Sequence, residues 1–104
     1  MANIIVSGAG SSEVNGTYVE SGTINDKPLY VYGDYGILWS DSVWQITYYG
    51  GYPIYYYSSD DVATPDLCTT WEVYNGEPPV PTVTKEVTGV PKHFLYYARM
   101  RGNQ

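Results

Sequence analysis

Short runs of apolar, aromatic and β-branched residues alternate with clusters of turn residues along most of the chain. The turn signals fall at Asn15-Gly16, Asn25-Asp26-Lys27-Pro28, Gly33-Asp34-Tyr35-Gly36, Ser40-Asp41-Ser42, Gly50-Gly51 and Ser58-Ser59-Asp60-Asp61. They recur every eight to ten residues or so, which is the rhythm of an antiparallel β-meander. Between them lie the predicted strands 17–23, 29–32, 37–40, 43–48 and 52–57, rich in Tyr, Val, Ile, Thr and Trp, residues that fit a pleated, half-buried surface. No window before residue 90 holds a helical period. The pattern therefore predicts an all-β domain over residues 3–84, an antiparallel meander of four to six strands forming a sheet, a small sandwich or a blade-like unit.

Alternation assigns the faces. Trp44, Ile46 and Tyr48 share one side of their strand, with Val43, Gln45 and Thr47 on the other. Ile37 and Trp39 point together, and Leu29 and Val31 oppose Tyr30 and Tyr32. The Ile, Trp and Leu-Val sets are the expected inner face. After Ser58 the rhythm loosens: 60–66 reads as a connection, 68–74 as one more strand, and 75–84 as an extended proline-rich arm ending in a strand. Pro78, Pro79 and Pro81 cannot serve a central ladder, so this arm should run along an edge or over a face. The domain is thus expected over 1–84, with a C-terminal tail over 85–104 in which 93–100 reads as a further strand with Phe94, Tyr96, Ala98 and Met100 on one side, or as a short helix after Pro91.

Composition sharpens this picture. The chain has 104 residues, of which 16% are aromatic, with thirteen Tyr, three Trp and one Phe. Large rings are an efficient way to build a small core. The single cysteine, Cys68, excludes an internal disulfide and reads as a small buried hydrophobe. Residues 1–84 carry ten acids against Lys27, while 85–104 carry Lys85, Lys92, Arg99 and Arg101 against Glu86. An acidic body argues against nucleic acid as the partner, since phosphate binding needs clustered Lys and Arg. The N-terminal residues have neither the basic region nor the apolar length of a signal peptide, and no stretch approaches a membrane span of about 20 apolar residues. The expectation is a soluble protein without membrane insertion.

Several further residues carry a resemblance. Gly8-Ala9-Gly10, Val14-Asn15-Gly16-Thr17-Tyr18, Gly22, Asn25, Lys27-Pro28 and Tyr30 are followed by Ile37-Leu38-Trp39 and Trp44-Gln45-Ile46. Tyr55-Tyr56-Tyr57-Ser58, Trp71 and Gly76-Glu77-Pro78-Pro79-Val80-Pro81 complete the series. In this order residues 6–84 resemble a small repeated β module of protist multidomain proteins and of marine microbial and phage-like sequences. Asp26 stands where that module has Gly after Asn25, a mild departure because Asp also tolerates positive φ. The resemblance implies the fold and leaves function open. It carries no catalytic residue.

Candidate chemistry is sparse. Tyr48, Tyr49, Tyr52, Tyr55 and Tyr57 are the expected ligand-binding residues, because alternation brings some of this dense tyrosine run to the surface, where flat rings with a polar tip suit sugars or proline-rich peptides. Asp60, Asp61 and Asp66 lack any Ca²⁺-loop spacing and read as solvated turn acids. A small hydrolase using Asp60 or Asp61 with Glu72 is the alternative from another class, and a structural spacer is the third reading. Gly8-Ala9-Gly10 lacks the third glycine and the helix of a phosphate loop. No metal or other cofactor is expected. The function expected is a non-catalytic interaction module, used in assembly or in binding a glycan or peptide, as part of a phage or microbial surface protein.

The tail adds Phe94, Leu95, Tyr96, Tyr97 and Met100 after the module has ended, and each gains about 1.5–3 kcal/mol when fully buried. Its positive charge complements the acidic body, so self-association through 85–104 is expected. The full chain should then sediment as a dimer at high micromolar concentration. A full-length monomer there would overturn this reading.

Overall fold

The computed structural model describes residues 2–49 and 52–86. The predicted tail strand, and most of the tail expected to drive self-association, lie outside the described residues. All regular structure described is strand apart from two 3-10 turns at Ser12–Val14 and Pro65–Leu67. Eight strands form one sheet: β1 (Ile4–Ser7), β2 (Gly16–Ile24), β3 (Lys27–Tyr32), β4 (Tyr35–Ser40), β5 (Val43–Tyr48), β6 (Ile54–Ser58), β7 (Glu72–Val73) and β8 (Thr82–Lys85). Their order is β7-β6-β5-β4-β3-β2-β1-β8, with every neighbouring pair antiparallel.

The turns behave as their residues dictate. Asn25 and Asp26 sit at φ 55° and 68° between β2 and β3, and Asp41 and Ser42 at 54° and 67° between β4 and β5. Two successive positive φ values match the right-handed twist of the flanking strands, and short polar side chains tolerate them best.

The sheet curls. Held flat, eight strands would place β7 and β8 about 34 Å apart. The nine residue steps from Val73 to Thr82 reach only about 31 Å even when drawn straight. The two edges must therefore approach each other, and hydrogen bonds show that they do. On the β7 side, Tyr56 of β6 accepts from the Ser11 amide (2.9 Å) and donates to the Glu77 carbonyl (2.5 Å). Ser11 lies between β1 and β2, and its hydroxyl takes the Glu77 amide at 2.8 Å. The Gly10 amide donates to the Pro79 carbonyl at 3.0 Å. The proline-rich arm thus straps the open side of a half-barrel. The prolines allowed a course along an edge or over a face; the arm crosses the open side and ends in the edge strand β8.

One core fills the concavity. Ile4 and Val6 of β1, Tyr18, Tyr30, Ile37, Trp44, Ile46, Tyr56 and Val83 of β8 form a single buried cluster. Tyr30, Ile37, Ile46 and Tyr56 lie in one register row across β3 to β6. Trp44 is fully buried and donates its indole N–H to the Val62 carbonyl at 3.0 Å. Lys27 closes that end: its ammonium lies 4.3 Å from the Trp39 ring centre, 2.7 Å from the Val62 carbonyl and 2.7 Å from Asp61.

Three expectations need correction. The strand count is eight, not four to six. The excess arises at the edges, where β1 and β8 are short and pair with each other across most of the sequence. The expected strand over 68–74 shrinks to Glu72–Val73, because the Asp60 carboxylate takes the amides of Thr69 (2.7 Å) and Thr70 (3.2 Å) that a longer ladder would use. On β3 the core residue is Tyr30, not Leu29 or Val31. Leu29 is buried too, but outside the core cluster, while Val31 pairs with the exposed Val19.

Two glycines are required by the strap. A Cβ on Gly10 would fall 2.1 Å from the Pro78 carbonyl oxygen, and one on Gly76 would fall 2.9 Å from that of Tyr55. Backbone cannot yield as a flexible side chain does, so Gly10→Ala should dislodge the arm. Tyr56→Phe should cost about 2–3 kcal/mol, since it leaves a buried amide and a carbonyl without their partner. Urea denaturation checks both, with Tyr52→Phe as a control expected to lie within about 0.5 kcal/mol of the parent.

Candidate functional site

The five tyrosines expected to bind ligand are distributed over three places. Tyr48, the last residue of β5, and Tyr49 lead into the β5–β6 connection. That connection is pinned by the Pro53 carbonyl, which accepts from the Tyr48 amide (3.0 Å) and the Thr47 hydroxyl (2.9 Å). The Tyr49 amide donates to the Asp34 carbonyl at 2.7 Å, tying this connection to the β3–β4 turn. The Tyr49 ring lies across Gly36, close enough that a Cβ there would stand 3.2 Å from Cδ1. Gly33, Asp34, Tyr48 and Tyr49 line a cleft of about 210 Å³. Tyr52 stands beyond, 79% exposed, with Tyr48 at 43% and Tyr49 at 49%. Tyr48 and Tyr49 therefore share one cleft with Asp34, and the exposed Tyr52 follows on the same connection outside that lining.

Tyr55 goes elsewhere. The β5–β6 register slips between Ile46 and Thr47, where Ile46 faces Tyr56 but Thr47 faces Ile54. Such a bulge leaves one extra residue and re-aims its side chain. Tyr55 consequently packs on the core beside Tyr56, with its ring 5.9 Å from Tyr35. Tyr35 in turn meets Tyr48 edge-on at 6.1 Å. Burial raises the Tyr55 phenol above its ordinary pKa, and Tyr35 and the Glu13 carboxylate add to the effect.

Tyr57 projects from the opposite face. It pairs with Gln45 and meets Tyr74 edge-on, with centroids 6.1 Å apart and planes at 89°. With Asp41, Val43, Gln45 and Ile54 these two tyrosines line a second cleft of about 190 Å³. Sequence reasoning passed over Asp34 and Asp41 as turn residues and Tyr74 as part of a strand.

The acidic residues considered for hydrolysis line neither cleft. Asp60 accepts from the Thr69 amide and hydroxyl and from the Thr70 amide, and the Thr69 bonds hold its carboxyl below the usual range. Asp61 is paired with Lys27, and Glu72 is exposed on β7. Among the described residues no group of three His, Cys, Asp or Glu side chains is placed to hold a metal ion. Cys68 is half-buried against the core, and burial pushes its thiol up despite a counteracting contact from Ser58. The Gly8-Ala9-Gly10 amides are also committed in part: Ala9 donates to the Asn15 carboxamide and Gly10 to Pro79. Asn15 returns a bond to the Ala9 carbonyl, so its side chain works as a loop brace. No helix among the described residues is long and apolar enough to cross a membrane.

Compared with family models, with curated proteins and with solved structures, the chain matches none.

The buried phenols give the fold an alkaline limit. Burial, with Glu20 and Asp66 nearby, pushes Tyr30 up to about 12, and burial with Tyr32, Tyr35 and Tyr55 pushes Tyr18 higher still. Below pH 10 both phenols are neutral in the folded and the unfolded chain, and their contribution is fully present. Above about pH 10 the unfolded chain ionises first, so stability should fall from there towards pH 12 and beyond. Thermal unfolding followed by circular dichroism between pH 8 and 11 checks this, with bounds set by the ordinary tyrosine value of about 10. Tyr30→Phe should flatten the fall, and an unchanged slope would assign it to other groups.

Proposed function

We propose that this protein is a non-catalytic binding module that takes a glycan at the Tyr48–Tyr49–Tyr52 end of its sheet, as part of a microbial or phage surface assembly. The observation that carries the reading is the cleft lined by Asp34 and the exposed Tyr48 and Tyr49, with the exposed Tyr52 further along the same connection. An aromatic face packs on the C–H face of a sugar ring, and a carboxylate accepts from its hydroxyls. The scaffold behind the cleft is held by the Tyr49–Asp34 and Tyr48–Pro53 backbone bonds, which supports a pre-formed site. The commitment of Asp60 to Thr69 and Thr70 and of Asp61 to Lys27 supports binding over hydrolysis.

A glycan array probed with the full chain tests the proposal, followed by titration of any hit. Tyr52→Ala should weaken that hit by about tenfold, the equivalent of about 1.4 kcal/mol, with the melting temperature unchanged. Turnover of a substrate that is abolished by Asp61→Asn would favour the hydrolase instead. Binding to nothing on the array would favour a structural spacer.

A further inference from the structure

The cleft on the convex face shares no lining residue with the one at the glycan end and has a different chemistry. Its floor is Val43 and Ile54, its wall the perpendicular rings of Tyr57 and Tyr74, and Asp41 stands at its rim. Tyr74 is 61% exposed although it makes the edge contact with Tyr57, so most of its ring is open to a partner. We propose that this cleft is a second binding site, for a proline-rich peptide segment that carries a Lys or Arg beside its prolines.

Lining and charge select that occupant. At about 190 Å³ the cleft is as small as the one at the glycan end, so a ligand lies across it rather than being enclosed. Its lining side chains are mostly aliphatic or aromatic, which leaves a sugar few partners for its hydroxyls. Strand addition beside it is limited, because β7 offers two residues, Glu72 and Val73. Proline rings need no ladder. They seat between aromatic side chains, and their extended helix is already formed before binding, so little entropy is lost.

The basic residue follows from the charge around the site. The described residues hold all eleven carboxylates of the chain against Lys27 and Lys85. Lys27 is committed to Asp61 and Val62, and Lys85 forms no ion pair among the described residues. Asp41 at the rim therefore faces the partner without a counter-ion from either lysine, and a cation on the peptide supplies it. The protein's own proline-rich arm is a poor occupant for a second copy, since it carries Glu77 and is already bound to Gly10, Ser11 and Tyr56.

The test uses the full chain and a fluorescein-labelled peptide, Pro-Pro-Leu-Pro-Pro-Leu-Pro-Pro-Arg, beside the same peptide ending in Glu. Fluorescence anisotropy should show saturable binding of the Arg peptide below about 1 mM, the weak range common to small recognition surfaces. Amide shifts in an NMR titration should centre on Asp41, Val43, Tyr57 and Tyr74. Tyr74→Ala should weaken binding by about tenfold. Asp41→Asn, which keeps a residue tolerant of positive φ, should erase the preference for Arg over Glu. Tyr52→Ala should leave peptide binding unchanged, so the outcome is separate from that of the glycan site. Absence of saturable binding, equal binding of the Glu peptide, or shifts centred on Tyr48 and Tyr49 would each overturn the proposal.

Discussion

The structure depends on one phenolic hydroxyl. Tyr56 sits on β6, yet its oxygen holds the Ser11 amide of the β1–β2 loop and the Glu77 carbonyl of the proline-rich arm. It therefore joins three segments far apart in sequence at the point where the curled sheet would otherwise lie open. A phenylalanine could fill the same volume, but it could not satisfy either backbone group, and unpaired polar groups in an apolar interior are costly. The curl, the strap and the shared core all require this tyrosine to be where it is. The high proportion of tyrosine over phenylalanine makes sense in that light. A small half-barrel with irregular loops on its open side needs side chains that are apolar for most of their length and polar at the tip.

The bulge in β6 performs a second task with the same residue type. Tyr55, Tyr56 and Tyr57 are consecutive, and regular alternation would send two of them to one face and one to the other. The slip at Thr47 instead turns Tyr55 and Tyr56 inward and leaves Tyr57 outside. Tyr55 completes an edge-to-face series through Tyr35 to Tyr48, which links the core to the exposed end of the sheet. Tyr57 becomes the wall of the convex cleft. Three adjacent tyrosines thus serve a ring series, a fastener and a surface.

Much of the architecture is legible from local pattern. The hairpins from β2 to β6 have period-two alternation and turn residues that tolerate positive φ, and both are properties of a few neighbouring residues. What escapes the pattern depends on distance. The sequence Ile4-Ile5-Val6 is too short to be recognised as a strand until its partners Val83 and Thr84 are known. The 68–74 run has strand-like composition, but a carboxylate eight or more residues upstream consumes its amides. Leu29 and Val31 carry no polar side-chain atom and so read as core ahead of Tyr30, but the register row through Ile37 and Ile46 decides against them. For the candidate sites, the density of tyrosine pointed to exposed rings, and Tyr48, Tyr49 and Tyr52 are exposed while Tyr55 packs on the core. Which rings emerge together depended on the bulge, and the acids beside them, Asp34 and Asp41, first read as turn residues.

The meeting of β1 with β8 also fixes where the two ends of the described module lie. Asn3 donates its carboxamide to Glu86 at 2.9 Å, and the Glu86 amide donates to the Asn3 carbonyl at 2.8 Å. Entry and exit are neighbours on a single pair of strands. A unit with adjacent ends can be spliced into a surface loop of a larger protein without prising that loop apart, and copies can be threaded in series from one shared corner. The geometry makes the half-barrel a transplantable part, carried on a two-stranded stem.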